Sequence, residues 1–180
     1  MSSSRRSPSG LVDAPVQPAG LREVMSRFAT GVIVLTVGGE RMHGMTANAF
    51  TSVSLDPPTV LCCVSHGAVM HGAITAAGRF GVSVMEAGQE EVARYFADKN
   101  RPLGPEQFEG VDTFPGPRTG VPLLSGALGW LECEIAGAYE SGDHSIFLAG
   151  VLGSSLGSGQ QDGLVFFSGR YARGVRQQVS

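Results

Sequence analysis

The chain has 180 residues, 13 basic and 16 acidic, for a net charge of −3. That length fits one domain, and the charge gives no electrostatic case for nucleic acid. A hydrophobic content of 42% supports a proper core, and a charged content of only 16% leaves surface to be hidden in a subunit interface.

Residues 1–18 are rich in Ser and Pro and read as a disordered tail, with residues 19–176 as one globular domain. Arg5 and Arg6 are not followed by the apolar stretch of a signal peptide, and no run reaches membrane-helix length. The expectation is a cytoplasmic protein. Cys62 and Cys63 are neighbours on opposite strand faces and Cys133 is remote. All three are expected to be buried free thiols rather than metal ligands or a disulfide.

In chain order, Leu21, Val24, Met25 and Phe28 form one apolar helical face, ended by Gly31. The run Val32 to Val37 reads as a buried strand closed by Gly38-Gly39, and a second strand starts near Met42. Pro57-Pro58 should break the sheet before a strand over Val60 to Val64. A short helix over Ala68 to Ala77 should turn Val69, Ala73 and Ile74 inward, followed by a strand over Phe80 to Met85. Gln89 to Phe96 reads as a helix with an acidic first turn. Pro102 to Pro122 holds five of the ten prolines and reads as one long loop. Strands follow near Ala127 to Ala138, Ser145 to Leu152 and Leu164 to Phe167, with a Gly/Ser hairpin loop over Gly153 to Gly163. Glu132 and Glu134 are expected on a solvated strand face, and Phe166 and Phe167 in the core. About seven strands with few short helices disfavour a doubly wound sheet and predict an antiparallel barrel.

The chain has no G-x-G-x-x-G after a strand, no phosphate-binding G-x-x-x-x-G-K-[ST] and no G-x-S-x-G. Its chemistry concentrates in the run Gly44 to Pro58. There Thr46, Ala47, Asn48, Thr51, Ser52 and Ser54 offer hydroxyls, amides and a carboxamide beside bulky Met45 and Phe50. A flat heterocycle with polar edges needs this mixture, and Asn48 alone offers both a donor and an acceptor. The corner at Ser65-His66-Gly67 is either a phosphate-binding junction or a plain turn. In Gly142-Asp143-His144, His144 is either a surface residue or a cleft residue that hydrogen-bonds a carboxamide or a developing anion. Arg170 and Tyr171 either cover a ligand or end a strand.

These segments, with Arg27-Phe28-Ala29-Thr30-Gly31, Phe80-Gly81-Val82, Tyr95-Phe96-Ala97 and Gly169-Arg170-Tyr171, together resemble the flavin reductase-like, FMN-binding split-barrel family over about residues 21 to 172. The resemblance implies a mainly β, antiparallel Greek-key split barrel with a few short helices, assembled as a homodimer. It implies that NAD(P)H reduces exchangeable FAD or FMN, which then diffuses to a partner monooxygenase. It places Thr30, Thr46, Ala47, Asn48, Ser52, Cys63, Val64 and Phe96 at the flavin, with His144, Tyr171 and Arg170 near the nicotinamide. Family members often carry Ser and Thr where this chain has Ala68 and Met70, leaving Ser65, His66, His71 and backbone amides for the phosphate. No basic cluster for a 2′-phosphate is evident, so NADH is preferred to NADPH. The alternatives are an oxidase or oxygenase of the same fold with tightly bound flavin, and a non-catalytic flavin or haem carrier.

Overall fold

The structure is a computed structural model that describes Pro15, residues 17–158 and residues 162–174. Most of the expected N-terminal tail lies outside these residues. Among them are three helices, α1 (Pro18–Ser26), α2 (Val69–Ala77) and α3 (Glu90–Ala97). The strands are β1 (Thr30–Gly31), β2 (Ile33–Val37), β3 (His43–Ala47), β4 (Phe50–Leu55), β5 (Pro58–Ser65), β6 (Arg79–Val84), β7 (Thr113–Pro115), β8 (Pro122–Leu124), β9 (Gly129–Ser141), β10 (His144–Leu156), β11 (Leu164–Phe167) and β12 (Arg170–Arg173).

Seven strands form one antiparallel sheet in the order β3-β2-β6-β9-β10-β5-β4. Its two edges, β3 and β4, are consecutive in the chain and separated only by Asn48 and Ala49. Laid flat, six strand spacings of about 4.8 Å would hold these edges ~29 Å apart. Three Cα steps reach at most ~11 Å. The sheet must therefore curl until its edges meet. The edges do not pair with each other, so the curl leaves an open seam, which is a split barrel.

The interior follows from strand alternation. Val60, Cys62 and Val64 of β5 point inward opposite Ala149, Phe147 and Ser145 of β10, while Leu61, Cys63 and Ser65 point out. Met70, Ala73 and Ile74 of α2 join this cluster. Val69 is exposed, contrary to expectation, because the buried face of a short helix holds positions i, i+3 and i+4 starting from Met70. The run of β2, apolar but for buried Thr36, is explained by burial on both sides. Its other side packs against a second cluster including Met85, Ala93, Phe96, Phe108 and Leu164. Gly44 makes this possible, since a Cβ there would sit 2.5–2.7 Å from the Phe96 ring.

Several expected elements differ. Pro57 and Pro58 do not break the sheet. They turn β4 into β5 as a hairpin, with Leu55 opposite Pro58 at the strand start, where a missing N–H is tolerated. α1 ends at Ser26 and none of its residues is buried: Leu21, Val24 and Met25 are 56, 69 and 51% exposed, and Phe28, beyond its end, is 64% exposed. The stretch from Pro102 to Pro122 is structured by a 3-10 turn (Gly104–Phe108) and the β7–β8 pair. The expected hairpin loop over 153–163 differs in its first part, where β10 runs on to Leu156, and residues 159–161 of it lie outside the described residues; β11 then pairs with β1 and β12. Phe167 is exposed beside half-buried Phe166.

Glu132 is not solvated. It is 3% exposed, and its carboxylate accepts from the Arg118 and Thr119 backbone amides and the Thr119 hydroxyl, at 2.6–3.2 Å. Loop residues 116–120 thus wrap a buried anion with N–H and O–H donors. Glu134, two residues on, is exposed and pairs with Arg79 at 2.8 Å.

A second polar clamp holds the 3-10 turn to β3. Buried Gln107 accepts from the Gly44 amide and donates to the Met42 and Gly104 carbonyls. Arg101 donates to the Gly44 carbonyl and to His43 Nε2. Burial first, then the Arg101 charge, lowers the His43 pKa from 6.5 to about 4. A depressed base stabilises the fold fully above its unfolded pKa and loses that contribution as pH falls through its folded pKa. Between pH ~6.5 and ~4 this single ring should therefore remove about 3 kcal/mol. The expected outcome is that His43→Gln loses about that much less stability than the parent in urea unfolding when pH drops from 7.5 to 4.

Candidate functional site

The seam exposes Asn48 and Ala49, which link its two edges. A cleft of about 1370 Å³ opens between α1, β1, the β3–β4 link and the outer face of β5. Its walls are apolar, including Met25, Phe28, Phe50, Leu61, Val84 and Phe166. Thr30 and Asn48 stand together in it, the Asn48 amide nitrogen donating to the Thr30 hydroxyl oxygen at 3.1 Å. That bond fixes the amide orientation. Asn48 Oδ1 is left to accept and the Thr30 hydroxyl hydrogen to donate, a pattern suited to the edge of a flat heterocycle. Cys63 lines the same cleft, half-buried.

On the other side of Asn48 lies a hollow of about 120 Å³ lined by Thr46, Ala47, Ala97, Phe166 and Tyr171. The Thr46 hydroxyl is already spent on the Ala93 carbonyl at 2.7 Å, tying β3 to α3. Tyr171 is half-buried, its ring 5.4 Å from Phe166 and 4.9 Å from the Arg94 guanidinium. Burial raises its hydroxyl pKa, so it remains a neutral donor. The structure thus brings Thr30, Asn48 and Cys63 to the cleft, and Thr46, Ala47, Asn48 and Tyr171 to the hollow.

The remaining candidates lie elsewhere. Val64 and Phe96 face the interior, with no more than 1% exposure. Ser52 is exposed on β4 and Arg170 on β12. Ser65 follows Cys63 by two residues on the outer face of β5 and pairs with His144 across the ladder. His144 lines neither the cleft nor the hollow. Its Nδ1 lies 2.7 Å from Asp143 Oδ1, and that hydrogen bond, followed by the His144 charge, holds the Asp143 carboxyl below the usual carboxylate range. With Nδ1–H committed to Asp143, a neutral His144 ring presents Nε2 as an acceptor. It can take a carboxamide N–H; it donates to an anion only when protonated.

His66 and His71 are not free for a phosphate. Their Nε2 atoms lie 3.1 and 2.8 Å from the buried Ser145 hydroxyl. One hydroxyl satisfies both rings by donating to one and accepting from the other. Sequence reasoning did not assign Arg22, Arg27, Phe28 or Phe166 to a site, although Arg27-Phe28 stood in the resemblance. Only the fold shows that the end of α1 overhangs the seam.

A split barrel with an apolar cleft and an amide–hydroxyl pair at the seam defines a binder of flat, polar-edged rings. Residues 25–174 match the flavin reductase like domain, and the chain belongs to that family. It is 51% identical over 166 residues to an NADH-dependent FAD reductase of Streptomyces globisporus, covering 92% of this chain and 90% of that protein. The fold matches the crystal structure of BorF, the flavin reductase component of a bacterial two-component tryptophan halogenase, with a TM-score of 0.84 and 47% identity over 89% of this chain and all of that one. It also matches the Streptomyces globisporus C-1027 NADH:FAD oxidoreductase SgcE6 in complex with NAD and FAD fragments, with a TM-score of 0.83 and 46% identity over 93% of this chain and 99% of that one.

Proposed function

We infer that the chain is an NADH-dependent flavin reductase that reduces exchangeable FAD or FMN and supplies it to a separate monooxygenase. The observation that carries this reading is the Thr30–Asn48 pair in the apolar cleft. The cleft residues fit a flavin: apolar walls for the ring faces, one acceptor and one donor for its polar edge, and small Ala47 beside Asn48 for close backbone approach. Bound flavin supplies the hydride-accepting chemistry. The protein binds, orients and excludes water. Thr30 and Asn48 set the ring's in-plane position and Phe50 and Leu61 wall it from water. His144 Nε2, fixed through Asp143, accepts from the nicotinamide carboxamide, and Tyr171 with Arg170 closes the opposite side.

The test is the purified protein. It should be colourless and oxidise NADH only when flavin is added. A yellow protein that keeps its flavin would favour an oxidase, and a coloured protein inert to NADH a carrier. Asn48→Leu should raise the flavin Michaelis constant about tenfold, worth roughly 1–2 kcal/mol, in steady-state assays with an unchanged circular dichroism spectrum.

The working unit is a C2 homodimer. Leu21, Val24, Val53 and Tyr139 are each more than half exposed, and Leu55 is 90% exposed. A chain with only 16% charged residues needs such surface covered. A mass near 18.7 kDa by light scattering would refute the dimer. Among the described residues no helix is long and apolar enough to cross a membrane. All three thiols are free, as in the cytoplasm, where reductants keep them so and where we place the enzyme.

A further inference from the structure

The turn that carries His144 is exposed. Gly142 takes a left-handed φ of 62° between β9 and β10, and the Asp143 side chain is 90% exposed. His144 begins β10, and among the described residues the one polar partner of its ring is Asp143, on that same turn. A ring held only by an exposed neighbour keeps a fixed aim only where the backbone on both sides of it is tied down.

His66 supplies that tie. Its amide donates to the Asp143 carbonyl at 2.9 Å, and its ring Nε2 lies 3.1 Å from the Ser145 hydroxyl oxygen. One residue thus grips the chain immediately before and immediately after His144. His71, in the first turn of α2, brings a second Nε2 to the same hydroxyl at 2.8 Å, and its ring packs 5.4 Å from that of Phe147. Ser145 is 4% exposed and points inward, so by strand alternation His144 points out. Fixing the Ser145 side chain therefore fixes the rotation of the strand start, and with it the direction of the His144 Cα–Cβ bond. The ladder to β5 already holds β10 from His144 to Gly150. Among the described residues, no β10 side chain beyond Ser145 is hydrogen-bonded. The extra brace is spent at one place, next to His144.

We propose that His66, His71 and Ser145 are positioning residues for hydride transfer: together they aim His144 Nε2 at the nicotinamide carboxamide. The proposal rests on the reading of His144 given above and concerns the nicotinamide, not the flavin.

The test is a double-mutant cycle. Michaelis constants for NADH and FMN, and stopped-flow hydride-transfer rates with premixed flavin, are measured for the parent, Ser145→Ala, His144→Ala and the double variant. Ser145→Ala should slow hydride transfer or raise the NADH Michaelis constant about fivefold, while the FMN Michaelis constant stays within about twofold. In the His144→Ala background the same substitution should cost under about twofold more, because no ring is left to aim. A full further loss in the double variant, or equal weakening toward NADH and FMN, makes the brace a general support of the fold and overturns the proposal. So does a Ser145→Ala protein with parental kinetics. Should Ser145→Ala misfold, His66→Ala/His71→Ala takes its place in the cycle and is read by the same criteria, since His66 is exposed and His71 only half-buried. That variant also answers a competing role. Its FMN and riboflavin affinities, titrated by fluorescence, should keep the parental ratio. A loss about tenfold greater for FMN than for riboflavin would give the two rings to the flavin phosphate and overturn the proposal. A silent His144→Ala single variant would sink the His144 reading and the proposal with it, a result told apart because it appears with Ser145 intact.

Discussion

Glu132→Ala should destabilise the protein by about 3 kcal/mol, the largest effect expected of any single change outside the apolar core. The substitution removes an acceptor that holds two backbone amides and one hydroxyl. Hydrogen bonds to a charged partner contribute about 1.5–3 kcal/mol each, and stranded buried donors cost about as much. Water entering the space offsets part of the sum, which keeps the estimate at one to two such bonds. For a chain of this size the midpoint of thermal unfolding should fall by about 6–12 °C. The flavin Michaelis constant of the folded fraction should not move, because Glu132 lines neither the cleft nor the hollow. A midpoint within about 2 °C of the parent would show that loop residues 116–120 do not depend on this anion.

The second large effect is expected at His144. If its Nε2 accepts from the nicotinamide, His144→Ala should lower the turnover number or raise the NADH Michaelis constant at least ~10-fold, equivalent to about 1.4 kcal/mol, with little change in flavin affinity. Stopped-flow mixing of NADH with enzyme and premixed flavin separates the hydride step from binding. Asp143→Asn should reproduce part of the loss, since an amide in place of the carboxylate no longer commits Nδ1 to donating. A variant whose hydride step matches the parent, with an unchanged circular dichroism spectrum, would return His144 to the surface.

Strands with a strong period were legible in the sequence. The apolar run of β2 and the span Leu164–Phe167 of β11 stand where the pattern placed them. The barrel class followed from the number of strands and the scarcity of helices. What the sequence hid was pairing. The run from Met42 onward reads as one strand, yet it divides at Asn48 into β3 and β4, the opposite edges of the sheet. No local signal reports that division, because it is imposed by strands that pair from far along the chain. The same holds for Glu132. An acidic residue in a strand reads as solvated until a loop 12–16 residues earlier folds over it. Of the residues lining the cleft, Thr30 and Asn48 were legible as polar groups but their mutual bond was not. Arg22, Arg27 and Phe28 looked like parts of an ordinary helix and its exit.

The economy of polar contacts in the cleft bears on throughput. A component that hands its product to another enzyme must release it at least as fast as it makes it. Protein–ligand encounter commonly proceeds at about 10⁵–10⁷ M⁻¹s⁻¹, so a dissociation constant near a micromolar corresponds to roughly 0.1–10 departures per second. In the proposed site one amide–hydroxyl pair stands against apolar walls, so few polar contacts break when the ring leaves. Each further hydrogen bond of about 1.4 kcal/mol would lengthen its residence time tenfold. Sparse anchoring is thus a condition of delivery, and variants selected for tighter flavin binding should be slower couriers.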